Sequence, residues 1–143
     1  MNKIAIVFWS GTGNTEAMAN EIAEGIRANG GEAELFAPGN FAAEQLASFR
    51  ATAFGCPAMG GEVLEEMEFE PMFAALEGSL SGKRIALFGS YGWGDGQWMR
   101  DWSARCAAAG ASLLDANGLI LNGAPDGEGV EACRALGRKL ATW

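Results

Sequence analysis

Short apolar runs of strand length alternate with amphipathic helical stretches along this chain, and that alternation constrains its fold more than any other feature. Residues 3–9 (KIAIVFW) are an apolar run after Lys3, as a strand buried on both faces would be. Met18, Ala19, Ile22 and Ile26 then recur at helical spacing, and Gly30 and Gly31 close that helix. Residues 32–36 (EAELF) alternate polar and apolar, the pattern of a strand with one exposed face. Residues 44–49 suggest a short helix and residues 51–56 (ATAFGC) a third strand. Pro71 suits the first turn of a helix that carries Met72, Phe73 and Leu76. Residues 84–89 (RIALFG) repeat the buried-strand pattern. Asp95 is placed to cap a helix with Trp98, Met99, Trp102 and Cys106 on one face, ending at Gly110. Residues 112–121 supply a fifth strand, and Val130, Cys133, Leu136 and Leu140 form the stripe of a last helix. Repeated strand–helix order implies a parallel sheet with helices on both faces. The expected fold is therefore α/β and doubly wound, in a single domain over residues 1–143.

Composition narrows the chemistry. The chain has no histidine, which excludes a Ser-His-Asp hydrolase, a Cys-His protease and a His-ligated metal site. Ten Lys and Arg against eighteen Asp and Glu give a net charge of −8, which argues against nucleic acid and anionic membrane as partners. No apolar run approaches the ~20 residues of a membrane helix. The start of the chain lacks the basic end and long apolar stretch of a signal peptide. Cys56, Cys106 and Cys133 are widely spaced with no Cys-x-x-Cys pair, so they read as reduced core thiols of a cytoplasmic protein. The 21 glycines follow no three-residue period and therefore belong to loops.

In sheets of this kind ligands bind in loops at the carboxyl ends of the strands. After the first strand come Ser10, Gly11, Thr12, Gly13, Asn14 and Thr15, with three hydroxyls, one amide and two glycines in one turn. Glycines let successive backbone N–H groups converge, and the helix N-terminus adds its positive end. This is an anion site, best suited to phosphate, built from neutral donors alone. It is not a nucleotide-hydrolysing P-loop, because no lysine follows and the glycines are too close together. The dinucleotide fingerprint begins correctly at Gly11 and Gly13 but meets Glu16 where a small residue is needed.

The third strand ends in Cys56, Pro57, Ala58, Met59, Gly60, Gly61 and Glu62; the fourth ends in Gly89, Ser90, Tyr91, Gly92, Trp93, Gly94, Asp95 and Gly96. Met59 and Trp93 each stand among small residues, available to stack on a planar ligand. Either could instead fold back onto the core. Together, at adjacent strand ends beside a phosphate loop, they favour a planar ring held between them.

These three segments, SGTGNT, CPAMGGE and GSYGWGDG, resemble the FMN-binding segments of short-chain flavodoxins, and the resemblance covers the whole chain. It implies a five-stranded parallel sheet in order 2-1-3-4-5 and non-covalent FMN as the cofactor. It places the cofactor against Trp9, the loop from Ser10 to Thr15, the segment from Cys56 to Glu62, and Ser90, Tyr91, Gly92, Trp93, Gly94 and Gly96. Met59 and Trp93 would flank the isoalloxazine, and Glu62 would accept from its N3 region. The Gly60–Gly61 peptide would turn over on one-electron reduction, so that the Gly60 carbonyl accepts from the protonated N5. Glycine makes such a change of turn type cheap. Pro57 stands where some members carry a hydroxyl for the phosphate, and it offers neither hydroxyl nor N–H.

The implied activity is that of a low-potential one-electron carrier, a monomer, cycling FMN between semiquinone and hydroquinone rather than transforming a substrate. An FMN-dependent quinone or azo reductase on the same fold is the alternative, with little chain left for a substrate pocket. A receiver-type signalling domain needs clustered aspartates after the first strand, where Trp9 and Ser10 stand. Glu62, Glu65, Glu66, Glu68 and Glu70 put five carboxylates into nine positions beside the proposed ring. They read either as an ordinary solvated stretch or as a functional one, which would steer the protein to redox partners with basic docking surfaces. At ~10 Å and an effective dielectric of ~20, each charge would oppose the anionic hydroquinone by up to about 1.7 kcal/mol, roughly 70 mV.

Overall fold

A computed structural model describes residues 3–143; Met1 and Asn2, at the head of the first apolar run, lie outside the described residues. The chain runs β1 (Lys3–Phe8), α1 (Asn14–Ala28), β2 (Glu32–Phe36), α2 (Ala43–Ser48), β3 (Ala51–Gly55), α3 (Phe69–Leu76), β4 (Arg84–Tyr91), α4 (Gln97–Ala108), β5 (Ser112–Leu113), β6 (Leu119–Asn122) and α5 (Gly127–Thr142). The strands are parallel, in the order β2-β1-β3-β4-β5, and β6 also pairs with β4. The expected order is therefore present.

Strand side chains alternate between the two faces of the sheet. Ile4 and Ile6 of β1 and Ala86 and Phe88 of β4 join α1 and α5 in one core. Ala5 and Val7 of β1 and Ile85 and Leu87 of β4 join α3 and α4, with Phe69, Phe73, Trp98 and Trp102, in the other. Both faces are covered, which is why the central strands read as unbroken apolar runs. On the first face α1 and α5 approach unusually closely. A Cβ at Gly25 would lie 2.1 Å from the Arg134 carbonyl oxygen, and one at Gly137 would lie 2.1 Å from that of Ile22.

Two expectations need correction. The fifth strand is two segments, β5 and β6, because residues 114–118 leave the sheet. There the Asn117 N–H donates to the Asp115 carboxylate at 2.9 Å and Gly118 takes φ +70°, an Asx-type turn that interrupts pairing. Asp95 does not cap α4. The cap is Gly96 at φ 92° with no side-chain bond, and the Asp95 carboxylate instead receives Arg100 at 3.0 Å.

Neighbouring strands leave β1 on opposite sides toward β2 and β3, so the crevice above their carboxyl ends is the topological switch point. The loops after β1, β3, β4 and β6 all emerge at that edge.

Candidate functional site

The loop after β1 folds around Ser10. Its Oγ accepts the N–H groups of Gly13 and Glu16, each at 3.2 Å. Gly13, at φ 100°, caps α1 without a side-chain bond. Among the described residues the N–H groups of Thr12, Asn14 and Thr15 have no protein acceptor. They lie at the positive end of a 15-residue helix, the setting that favours an anion. Trp9 packs over the loop, its ring 3.1 Å from where a Cβ on Gly11 would stand.

The loop is tied to β4 and β6 by a short relay. The Ser90 N–H donates to the buried Thr15 Oγ1 at 3.4 Å, and the Ser90 Oγ donates to the Gly123 carbonyl at 2.6 Å. The Gly123 N–H donates to Tyr91 O at 2.9 Å, and Asn122 Nδ2 donates to Gly92 O at 3.2 Å. Asn122 and Gly123 were missing from the sequence-based site. The available signal was their place immediately after the last strand.

The segment after β3 is docked by Ala58 N–H to Ser90 O at 3.1 Å. Cys56 faces inward. It is fully buried, its carbonyl accepts Trp98 Nε1 at 3.1 Å, and its sulfur accepts the Glu65 N–H at 3.4 Å. Burial pushes its thiol up to about 12. Cys56 therefore supports the site from beneath rather than lining it.

Met59 to Glu62 form a tight turn. The Glu62 N–H donates to Met59 O at 2.8 Å, and the Met59 N–H to Val63 O at 3.0 Å. Neither Gly60 nor Gly61 has a positive φ, which selects a type I turn. Glu62 follows in the left-handed region at φ 55°, alone among described non-glycine residues. That backbone normally belongs to glycine and is disfavoured by about 1–2 kcal/mol for a residue with a Cβ. The Glu62 carboxylate reaches the next loop: Oε2 accepts the Gln97 N–H at 3.2 Å, while Oε1 is buried with no partner.

The loop after β4 turns through Gly94 at φ 95° and Gly96 at φ 92°. Trp93 is 76% exposed between Gly92 and Gly94. It does not fold back onto the core. Arg100 holds the loop from below, donating to Asp95 O at 2.9 Å and Gln97 Oε1 at 2.8 Å.

The cleft between these loops has two adjoining parts. One, of about 310 Å³, runs from Ser10, Thr12, Asn14 and Thr15 past Pro57 and Ala58 to Tyr91 and Gly123. The other, of about 110 Å³, lies between Met59, Gly60, Glu62 and Trp93. Ala58, Met59 and Gly92 line both. Gly13, Gly61, Gly94 and Gly96, also expected in the site, line neither part.

The acidic stretch divides into distinct jobs. Glu65 is buried, and its carboxylate accepts the N–H groups of Met67, Glu68 and Phe69 at 2.8 Å each. Burial acts to raise its pKa, but the three donors outweigh it and hold the carboxyl below the usual range. Glu70 pairs with Arg105 at 2.6 Å, as Glu77 does at 2.8 Å. Those two bonds push the guanidinium pKa up. Glu66 and Glu68 remain exposed.

A sequence model of the flavodoxin family matches residues 6–138. The chain belongs to the flavodoxin family. It is 45% identical to a flavodoxin of Clostridium beijerinckii over 95% of this chain and 97% of that one. It is 44% identical to a flavodoxin of Megasphaera elsdenii over 96% of this chain and 98% of that one. The solution structure of the two-electron reduced Megasphaera elsdenii flavodoxin superposes with a TM-score of 0.88, covering 98% of this chain and 99% of that chain. The flavodoxin fold thus spans the described residues, with both parts of the cleft at its switch point.

Proposed function

We propose that the protein carries single electrons on non-covalently bound FMN held in this cleft. The observation that carries the reading is the pairing of two unlike ends in one cleft. One end is a nest of free N–H donors without a cation; the other is a slot between the Met59 and Trp93 side chains with a buried, unpartnered Glu62 oxygen. A phosphate matches the first, and a planar ring with a ring N–H matches the second. A buried acceptor left without a donor is unfavourable by about 1–3 kcal/mol, so Glu62 Oε1 fits the group well.

When bound, FMN supplies one-electron chemistry that no side chain here can. The chain's own residues bind, orient and shield it. Ser10, Thr12, Asn14 and Thr15 hold the phosphate. Met59 and Trp93 flank the ring, and Glu62 fixes its edge. The Gly60–Gly61 peptide would lie beside that edge and could turn over, because Gly61 accepts the positive φ a type II turn demands. The reading also extends to the whole of residues 1–143 as one FMN-binding domain.

Among the described residues no helix is long and apolar enough to cross a membrane. We take this carrier to be monomeric and cytoplasmic. Its net charge of −8 and the exposed Glu66 and Glu68 favour redox partners with basic docking surfaces. Anaerobic dithionite titration tests the reading: a carrier is reduced in two resolved one-electron steps. Fast direct reduction by NADH in stopped flow would instead mark an oxidoreductase acting on its own substrate.

A further inference from the structure

The Glu62 side chain bridges two loops that share no strand pairing. Its Oε2 accepts the N–H of Gln97, the first residue of α4, at 3.2 Å. Its carboxyl carbon lies 3.0 Å from where a Cβ on Gly94 would stand, so a side chain there would press on it, and Gly94 itself sits at φ +95°. The remaining oxygen, Oε1, is buried and unpartnered. The backbone of Glu62 is in the left-handed region, an arrangement kept where the surroundings hold it. Gln97 is itself held, since its Oε1 accepts Arg100 and its Nε2 donates to Asp101 at 2.7 Å.

We propose that the backbone N–H of Gln97 is a positioning group for the cofactor site: by occupying one oxygen of Glu62, it assigns the other as the acceptor offered to the ring. Gln97 acts through Glu62, without touching the ligand. The inference rests on the FMN reading and deepens it, because it states how the site selects a ring edge that donates a hydrogen bond. A carboxylate has two equivalent acceptors; a carboxamide has one acceptor and a donor. The clamp therefore predicts an unusual outcome for Glu62→Gln. Its single oxygen is claimed by the Gln97 N–H, and its NH₂ is turned toward the ring N–H, donor against donor.

The test is titration of the apoprotein with FMN, read by flavin fluorescence, across a small set of variants. Glu62→Gln should weaken binding at least as much as Glu62→Ala. Gln97→Pro removes the one N–H at the first helical position, at the cost of moving Gly96 out of its left-handed conformation, and Gln97→Ala removes only the side chain. In the Gln97→Pro, Glu62→Gln double variant the carboxamide is free to turn its oxygen to the ring. It should bind FMN about tenfold more tightly than Glu62→Gln alone, whereas Gln97→Ala with Glu62→Gln should give no such rescue. In the apoprotein, hydrogen exchange at the Gln97 amide should quicken in Glu62→Ala. If Glu62→Gln binds nearly as tightly as the unaltered protein, the clamp is refuted. If the proline double variant folds and gives no rescue, it is refuted equally. Should Gln97→Pro unfold the chain, the comparison of Glu62→Gln with Glu62→Ala decides alone. Failure of the unaltered apoprotein to bind FMN would instead overturn the FMN reading itself.

Discussion

Replacing Gly61 with alanine separates the two conformations of the Met59 to Glu62 turn. In the structure the Glu62 N–H donates to Met59 O at 2.8 Å, and Gly61 has no positive φ. No atom lies within 4 Å of a Cβ built on Gly61. Alanine therefore fits the turn as it stands. It even favours folding by about 0.4–1 kcal/mol, because the unfolded chain has less freedom to lose. Turning over the Gly60–Gly61 peptide converts type I to type II and moves residue 61 to φ near +80°. There alanine is disfavoured by about 1–2 kcal/mol. If the reduced forms use the turned peptide, the whole of that penalty falls on the first electron. One-electron potentials move by 59 mV for each tenfold change in equilibrium constant, so the first potential should drop by about 40–90 mV. The second should stay fixed, since both states it connects carry the same turn. Spectroelectrochemical titration of Gly61→Ala beside the unaltered protein measures both. An unmoved first potential, or equal shifts in both couples, would refute the reasoning.

Other perturbations test other parts of the account. Trp93→Ala removes a 76% exposed stacking face and should weaken FMN binding by about 1–2 kcal/mol, five- to thirty-fold, in a fluorescence titration. Gly25→Ala places a Cβ 2.1 Å from the Arg134 carbonyl oxygen; urea unfolding should show a loss of at least about 1–3 kcal/mol as α1 and α5 are forced apart. Glu65→Gln leaves three N–H groups facing a neutral amide and should cost about 1–3 kcal/mol in the same assay. The folded pKa of Glu65 lies below its ordinary 4.5. Its contribution is therefore full above that value and is lost as pH falls through the folded pKa. Thermal midpoints measured toward acid should show the variant losing less stability than the unaltered protein.

Most of the architecture was legible because buried parallel strands and amphipathic helices have unlike periods. β1 and β4 read as unbroken apolar runs, and the stripe Met18, Ala19, Ile22 and Ile26 lies buried on α1. The edge strand was less legible. Leu113, Leu119 and Leu121 made residues 112–121 look continuous, yet the Asp115 to Gly118 stretch already carried turn chemistry. Asp95 was a plausible cap by residue type, but Arg100, five positions on, claims its carboxylate. The five clustered carboxylates could not be sorted by sequence. Whether one is buried under three N–H groups, paired with a guanidinium or left in water depends on tertiary neighbours. The site's side chains were identifiable from hydroxyls, glycines and isolated aromatics. Not all of its backbone contributors were, because the Gln97 N–H and the Gly123 carbonyl depend on position alone.

The central claim is that one cleft holds phosphate at the nest after β1 and a flavin ring between Met59 and Trp93. Equilibrium titration of the apoprotein with FMN and with riboflavin, both read by flavin fluorescence, tests it most directly. FMN should be quenched at one per chain and bind far more tightly than riboflavin, which lacks the phosphate. FMN left unquenched, or bound no better than riboflavin, would contradict it.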